Sequence, residues 1–171
     1  KTGTLTKGMP EVTNIMPATN VTEEQLLRLV GAVEKSSQHP LARAILTKAH
    51  DSHITLPEPV LFNSVTGKGA YATVEGMKIY VGSIEWIKTI TSIDEHIKKE
   101  IPLFAQQGKS VIAAATEQHF LGILAIADQL RTESKKVINE LTEQNIKTVM
   151  LTGDAELTAK AIASDLQLAD V

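Results

Sequence analysis

Residues 61–81, LFNSVTGKGAYATVEGMKIYV, contain three short runs of strand-forming residues separated by glycines. Runs this short, divided by closely spaced glycines, are typical of strands joined by tight turns, so we expect them to pair as antiparallel hairpins. In chain order, the runs and the glycines between them are 61–65, Gly67, Gly69, 70–74, Gly76 and 78–81.

Segments on both sides extend this antiparallel sheet. Residues 11–16 alternate between apolar and polar side chains as in a short strand. Residues 111–115 and 120–127 predict another hairpin, which turns at Glu117-Gln118. The sheet is therefore built from segments that come before and after the glycine-rich stretch.

Local signals mark the helices that should cover the sheet. Thr22 followed by Gln25 forms a capping-box sequence. Pro40 fits the first turn of a helix, where its missing N–H costs nothing. Ser83 can cap a short helix, and Gly108 should end a longer one.

The last forty residues have a different pattern. Residues 132–144 predict an amphipathic helix, 147–151 a buried strand and 155–166 another helix. This order is typical of a parallel sheet, to which the segment around residues 2–4 could also belong. We predict an α/β fold in which an antiparallel sheet flanked by helices (9–126) is inserted in an incomplete parallel α/β unit (1–8 and 127–171).

Composition excludes several classes of function. The chain has 171 residues and a net charge of -3, with its basic residues scattered, so nothing indicates a nucleic-acid partner. The absence of cysteine excludes disulfides and thiolate metal sites. The longest apolar stretch, 120–127, is far shorter than the roughly 20 residues of a membrane-spanning helix. A start without Met suggests an excised fragment.

The first residues, Lys1-Thr2-Gly3-Thr4-Leu5-Thr6, form the most specific motif. A glycine between threonines lets N–H and hydroxyl groups converge on an anion, to which a lysine adds positive charge. The string resembles, residue for residue, the segment directly after the phosphorylated aspartate of P-type ATPases. The resemblance implies that the nucleophilic aspartate directly precedes Lys1, that this aspartate is absent from the chain, and that Lys1 and Thr2 are catalytic.

Two further motifs match the same family in the same order. Thr152-Gly153-Asp154 lies after a predicted strand and opens a predicted helix, a place that favours phosphate. It resembles the family's Thr-Gly-Asp motif, which implies catalytic roles for Thr152, Gly153 and Asp154. Asp128 and Arg131 resemble the family's hinge motif, although the same spacing also fits an ordinary ion pair at a helix start.

A histidine and a glutamate indicate the heavy-metal subgroup. His39 precedes Pro40, which fixes the backbone there, and an imidazole in that place can stack on a purine. The segment resembles the Ser-x-His-Pro-Leu signature of heavy-metal P-type ATPases. Glu34 lies at the position of that family's adenine-binding glutamate.

Two glycine-containing turns complete the nucleotide site that the resemblance implies. Gly67, Gly69 and Ala70 match the family's Gly-x-Gly nucleotide loop, and glycines permit a close approach of the backbone to a ligand. Gly82 and Ser83 match a later Val-Gly-Asn/Ser element, with serine where many relatives have asparagine.

The resemblance also implies a mechanism and partners. The insert would be the nucleotide-binding domain, and the parallel unit would be part of a haloacid-dehalogenase-like phosphorylation domain. ATP with Mg²⁺ would be bound, and no metal site is expected in the chain itself. The partners would be the transmembrane and actuator domains of the parent chain. The fragment would be an inactive monomer from the cytoplasmic part of a membrane protein that transports copper or another heavy metal.

Two alternatives stay open at this stage. A haloacid-dehalogenase-type phosphatase with a cap domain would share the parallel core, but Lys1-Thr2 lacks the second acid that such an enzyme needs. A stand-alone nucleotide-binding module would carry the same cleft without any role in transport.

Overall fold

The computed structural model describes residues 3–151 and 156–168, which contain one six-stranded sheet. Every neighbouring pair of strands is antiparallel, in the order β1-β6-β5-β4-β3-β2. The strands are β1 (Thr6–Pro17), β2 (Val60–Val65), β3 (Gly69–Val74), β4 (Met77–Gly82), β5 (Ser110–Ala115) and β6 (Phe120–Leu130). The helices are α1 (Glu23–Glu34), α2 (Pro40–Asp51), α3 (Ile84–Ile87), α4 (Glu95–Gln106), α5 (Ser134–Glu143) and α6 (Glu156–Leu166).

The predicted helix signals are confirmed. The Thr22 side chain accepts a hydrogen bond from the Gln25 backbone, and the Gln25 side chain accepts one from the Thr22 backbone. Pro40 lies in the first turn of α2. Ser83 caps α3, and Gly108, with a φ of 72°, comes just after the end of α4.

The sheet separates two apolar cores because side chains alternate along each strand. Ile79 and Val81 of β4 pack with α1 and α2 on one face. Tyr80, the residue between them, packs with α3 and α4 on the other face. On the α1–α2 face, one end of the sheet next to the β2–β3 turn borders an open cleft.

Residues 147–151 do not form the predicted strand. One bridge residue, Val149, replaces it, and the side chains of Val149 and Leu151 are 61% and 89% exposed. Met150 instead packs in a small third core with α6, Leu5 and Leu130. Within the described residues, the six strands already form one antiparallel sheet, which gives this segment no adjacent parallel strand on which to extend a ladder.

β1 and β6 are longer than the predicted strands and pair along most of their length. Thr6 lies opposite Leu130, and Pro10 lies opposite Asp128. The ribbon therefore passes through the predicted domain boundaries near residues 9 and 126, which stay a prediction. None of the helices in residues 3–151 and 156–168 is long and apolar enough to cross a membrane.

Candidate functional site

A cleft of about 730 Å³ lies at the open end of the α1–α2 face. The end of α1, the loop before α2, the β2–β3 turn, the end of β4 and the start of β5 form its walls. The cleft brings together all seven residues that the sequence predicted to bind nucleotide, namely Glu34, His39, Gly67, Gly69, Ala70, Gly82 and Ser83.

Glu34 is the buried acid of the cleft. Its side chain is 7% exposed, and its Oε2 atom has no hydrogen-bond partner in the part of the chain that the structure describes. Burial raises the pKa of this carboxyl above its ordinary value, while a hydrogen bond from the Ser37 side chain opposes that rise. A buried acceptor without a partner costs free energy, so this oxygen is suited to bind a donor from a ligand.

His39 is held at the start of α2. Its Nδ1 atom accepts a hydrogen bond from the Leu41 backbone at 3.2 Å, and its own backbone N–H donates to Ser37 Oγ at 3.2 Å. A neutral imidazole that accepts at Nδ1 carries its proton on Nε2. The exposed ring thus offers its face and an N–H donor to the cleft.

Gly69 and Gly82 face each other across β3 and β4. A Cβ atom on Gly69 would lie 2.2 Å from the Val81 carbonyl oxygen and 2.9 Å from Trp86 Cζ3. A Cβ atom on Gly82 would lie 2.6 Å from Trp86 Cε3. A Cβ atom on Gly82 would also lie 2.2 Å from the Lys68 carbonyl oxygen, so backbone carbonyls and Trp86, which belongs to the other core, together require both glycines. Gly67 differs, because an added Cβ atom there would meet nothing within 4 Å.

Several lining residues were missed by the sequence argument. Ser83, by contrast, was predicted, and its hydroxyl accepts a hydrogen bond from the Trp86 backbone at 3.2 Å as the cap of α3. Phe62, Val111 and Ile112 give the cleft apolar surface. They could have been found only from the strand order, because β5 lies beside β4 although it is distant in sequence.

Asp128 and Arg131 bind the N-terminal segment rather than each other. Asp128 accepts hydrogen bonds from Thr6 Oγ1 at 2.5 Å and from the Met9 backbone at 3.1 Å. Arg131 donates to the carbonyl oxygens of Thr6 and Gly3, both at 3.1 Å. We call this set of contacts the β1–β6 clasp.

The predicted catalytic residues Lys1, Thr2, Thr152, Gly153 and Asp154 lie outside the described residues. Their described neighbours lie close together, since Leu5 packs against the small core that contains Met150. Arg131 also joins Gly3 to the segment after β6.

Comparisons with known proteins identify the family. A model of haloacid dehalogenase-like hydrolases matches residues 1–171. A probable cadmium-transporting ATPase of Alkalihalophilus pseudofirmus is 38% identical over 100% of this chain and 24% of its own length. A copper-exporting P-type ATPase of Staphylococcus aureus is 36% identical over 100% of this chain and 21% of its own length.

Structural similarity agrees with the sequence matches. The crystal structure of a zinc-transporting PIB-type ATPase superposes with a TM-score of 0.81 and 34% identity, over 100% of this chain and 28% of that one. The chain thus spans about a quarter of the length of the relatives it matches. It belongs to the haloacid dehalogenase-like hydrolase family, and its relatives there are heavy-metal-transporting P-type ATPases.

Proposed function

We propose that the chain is the ATP-binding part of a heavy-metal P-type ATPase and that its cleft holds the adenine and ribose of ATP. The observation that supports this proposal most strongly is that Glu34, His39 and the two glycine turns line one cleft. Glu34 and His39 come from the α1–α2 region and the glycines from the sheet, so chance clustering along the sequence does not explain it.

Each wall of the cleft has a distinct role in this proposal. The imidazole of His39 stacks on or donates to the purine, and Glu34 Oε2 accepts from its exocyclic amine. The apolar side chains of Phe62 and Ile112 exclude water from the base. Gly67 leaves its side of the cleft open to the ligand, because no side chain stands there.

The phosphate end of ATP is assigned to the two motifs outside the described residues. We propose that Lys1 and Thr2 meet the γ-phosphoryl group with Thr152, Gly153 and Asp154, and that this group passes to an aspartate before Lys1. Among the described residues, no three metal-ligating side chains cluster, so Mg²⁺ is assigned to the ATP phosphates and no step is derived through it. Phosphoryl transfer depends mainly on positioning and charge.

The remaining parts of the proposal concern the parent protein. Asp128 and Arg131 act as the hinge between the two units, and the parent chain supplies transmembrane and actuator domains that place this part on the cytoplasmic side. Copper is the proposed cargo, although the relatives are named for cadmium, copper and zinc transport. On its own, the chain is proposed to be a monomer that binds ATP and does not turn it over.

Replacing the stacking residue tests the cleft directly. We expect ATP at millimolar concentration to shift the amide NMR signals of the ¹⁵N-labelled chain around His39 and Gly67. His39→Ala should weaken binding by at least about fivefold, the loss expected for one base–aromatic contact. His50→Ala is the matched control, because His50 lies on α2 with an exposed side chain and outside the cleft.

Two results would contradict this assignment. One is an unchanged spectrum of the unmodified chain at millimolar ATP. The other is an equal loss of affinity in the His39 and His50 variants, which would show that the effect comes from α2 as a whole rather than from the cleft.

A further inference from the structure

Among the residues that line the cleft, one lysine is present and no arginine: Lys68, on the turn between β2 and β3. Its backbone N–H donates to the Val65 carbonyl at 3.0 Å, and its carbonyl accepts from the Ser83 N–H at 2.8 Å. Gly67 and Gly69, with φ values of 70° and 150°, flank it. The backbone of Lys68 is therefore fixed between two strands, while its side chain is exposed at the cleft.

The ammonium of Lys68 differs from that of several other lysines in the described part of the chain. Lys35 pairs with Glu58, and Lys98 pairs with Glu95 at 2.5 Å. For Lys68, the described residues provide neither an ion pair nor a side-chain hydrogen bond. The cleft thus carries a positive charge that no acidic side chain of the described residues neutralises.

The charges of the cleft are also separated. The carboxyl of Glu34 is buried at the end of α1, whereas Lys68 is on the exposed turn across the cleft. A carboxylate repels phosphate and accepts from an amine, while an ammonium binds phosphate as a point charge with three donors. A nucleotide is therefore favoured in one orientation, with its base towards Glu34 and its phosphates towards Lys68.

We infer that Lys68 binds the phosphate chain of the nucleotide and makes the cleft selective for phosphorylated nucleotides over nucleosides. The inference rests on the proposed function and adds a specificity residue to it. The turn fixes the Lys68 backbone, and the flexible side chain adapts to the phosphates.

Binding of adenosine and ATP to variants of the whole 171-residue chain tests this role. Dissociation constants are measured by NMR titration without divalent cations. Lys68→Gln should weaken ATP binding by about fivefold, the upper end for an exposed charge pair, and leave adenosine binding unchanged. Lys68→Arg should retain the preference for ATP. Lys48→Gln, an exposed lysine outside the cleft, is the control for net charge.

The possible failures are distinguishable. If Lys68→Gln weakens ATP and adenosine equally, the residue shapes the turn and the phosphate role is overturned. That role is also overturned if Lys68→Gln changes neither constant, or if Lys48→Gln causes the same loss as Lys68→Gln. If the unmodified chain binds neither adenosine nor ATP, the proposed function itself fails, and the role of Lys68 fails with it.

Discussion

The cleft and the β1–β6 clasp both gather residues that are distant in sequence, but they satisfy their polar groups differently. In the clasp, both carboxylate oxygens of Asp128 accept hydrogen bonds, and the Arg131 guanidinium donates to two backbone carbonyls. In the cleft, the buried Oε2 of Glu34 has no partner among the described residues, and the exposed side chain of Lys68 has no ion pair among them.

This difference distinguishes polar groups that stabilise the fold from polar groups that are available to bind a ligand. Buried polar groups are normally paired within a folded chain, so an unpaired one at a cavity indicates a ligand site. A fully paired set across two strands indicates a structural tie. An acidic and a basic side chain therefore have different roles at the two sites: Asp128 and Arg131 stabilise the fold, whereas Glu34 and Lys68 are available to a ligand.

The largest expected effect concerns Gly69, which faces Gly82 across β3 and β4 at the cleft. Gly69→Ala should destabilise the chain by about 3 kcal/mol, because the new Cβ atom would overlap the Val81 carbonyl and Trp86 at a φ of 150°. Urea unfolding gives the free energy of unfolding. Gly67→Ala is the matched control and should cost about 1 kcal/mol, since its Cβ atom meets nothing within 4 Å.

Equal losses in the Gly69 and Gly67 variants would show that the positive φ alone sets the cost, and that the Val81 carbonyl and Trp86 do not crowd a Cβ atom at Gly69. The close packing inferred at Gly69 would then be wrong.

The next effect concerns the clasp. Thr6→Val removes the hydroxyl that donates to Asp128 and leaves that carboxylate with one partner fewer, which should cost about 1–2 kcal/mol. Thr6 is 0% exposed, so water cannot readily replace the lost donor. Thr73→Val is the matched control. Thr73 lies half-buried on β3, and its hydroxyl forms no hydrogen bond within the described residues.

Chemical denaturation of both threonine variants separates the outcomes. A cost for Thr6→Val no larger than that for Thr73→Val would mean that the clasp does not stabilise the fold. The hydrogen bonds of Asp128 would then not be a structural tie between β1 and β6.

Local sequence signals predicted much of this fold because each has a local cause. The Thr22 capping box, Pro40, Ser83 and Gly108 all act within a few residues, and each lies where it was expected. The antiparallel hairpin of β3 and β4 depends on its glycines in the same way.

Features that depend on strand order could not be predicted locally. Gly69 faces Gly82 over Trp86 only because β3 and β4 pair in one register. Asp128 binds Thr6 rather than Arg131 because β6 returns beside β1. Residues 147–151 have the composition of a strand, but composition does not supply the neighbour that a strand requires.

The candidate site was predicted to a different extent at its two ends. The family resemblance named the seven residues that the structure brings together in the cleft, although their roles stay predictions. It missed the apolar wall from β2 and β5, and it gave Lys68 no role. The phosphoryl-transfer residues lie outside the described part of the chain, so their arrangement also stays a prediction.

The smallest expected effect is a gain in stability from Glu34→Gln. Burial raises the pKa of the Glu34 carboxyl above its ordinary value of 4.5, so the folded state binds a proton more tightly than the unfolded state. The stability that this adds is present below the unfolded pKa and is lost as pH rises through the folded pKa. The amide of Gln stays neutral at every pH, so the variant does not lose this stability as pH rises. The melting temperature of Glu34→Gln should therefore exceed that of the unmodified chain by about 2 °C at neutral pH.

The pH dependence decides whether this gain comes from the buried charge. The difference in melting temperature between the Glu34→Gln chain and the unmodified chain should be near zero below about pH 4.5 and grow as pH rises. Glu85→Gln is a control, because Glu85 is exposed and forms no ion pair within the described residues, so this variant should give no comparable trend. A constant difference at all pH values would show that packing of the amide, rather than ionisation, changes the stability. The carboxyl would then be as well satisfied as that of Asp128, and the cleft would lose the feature that distinguishes it from the clasp.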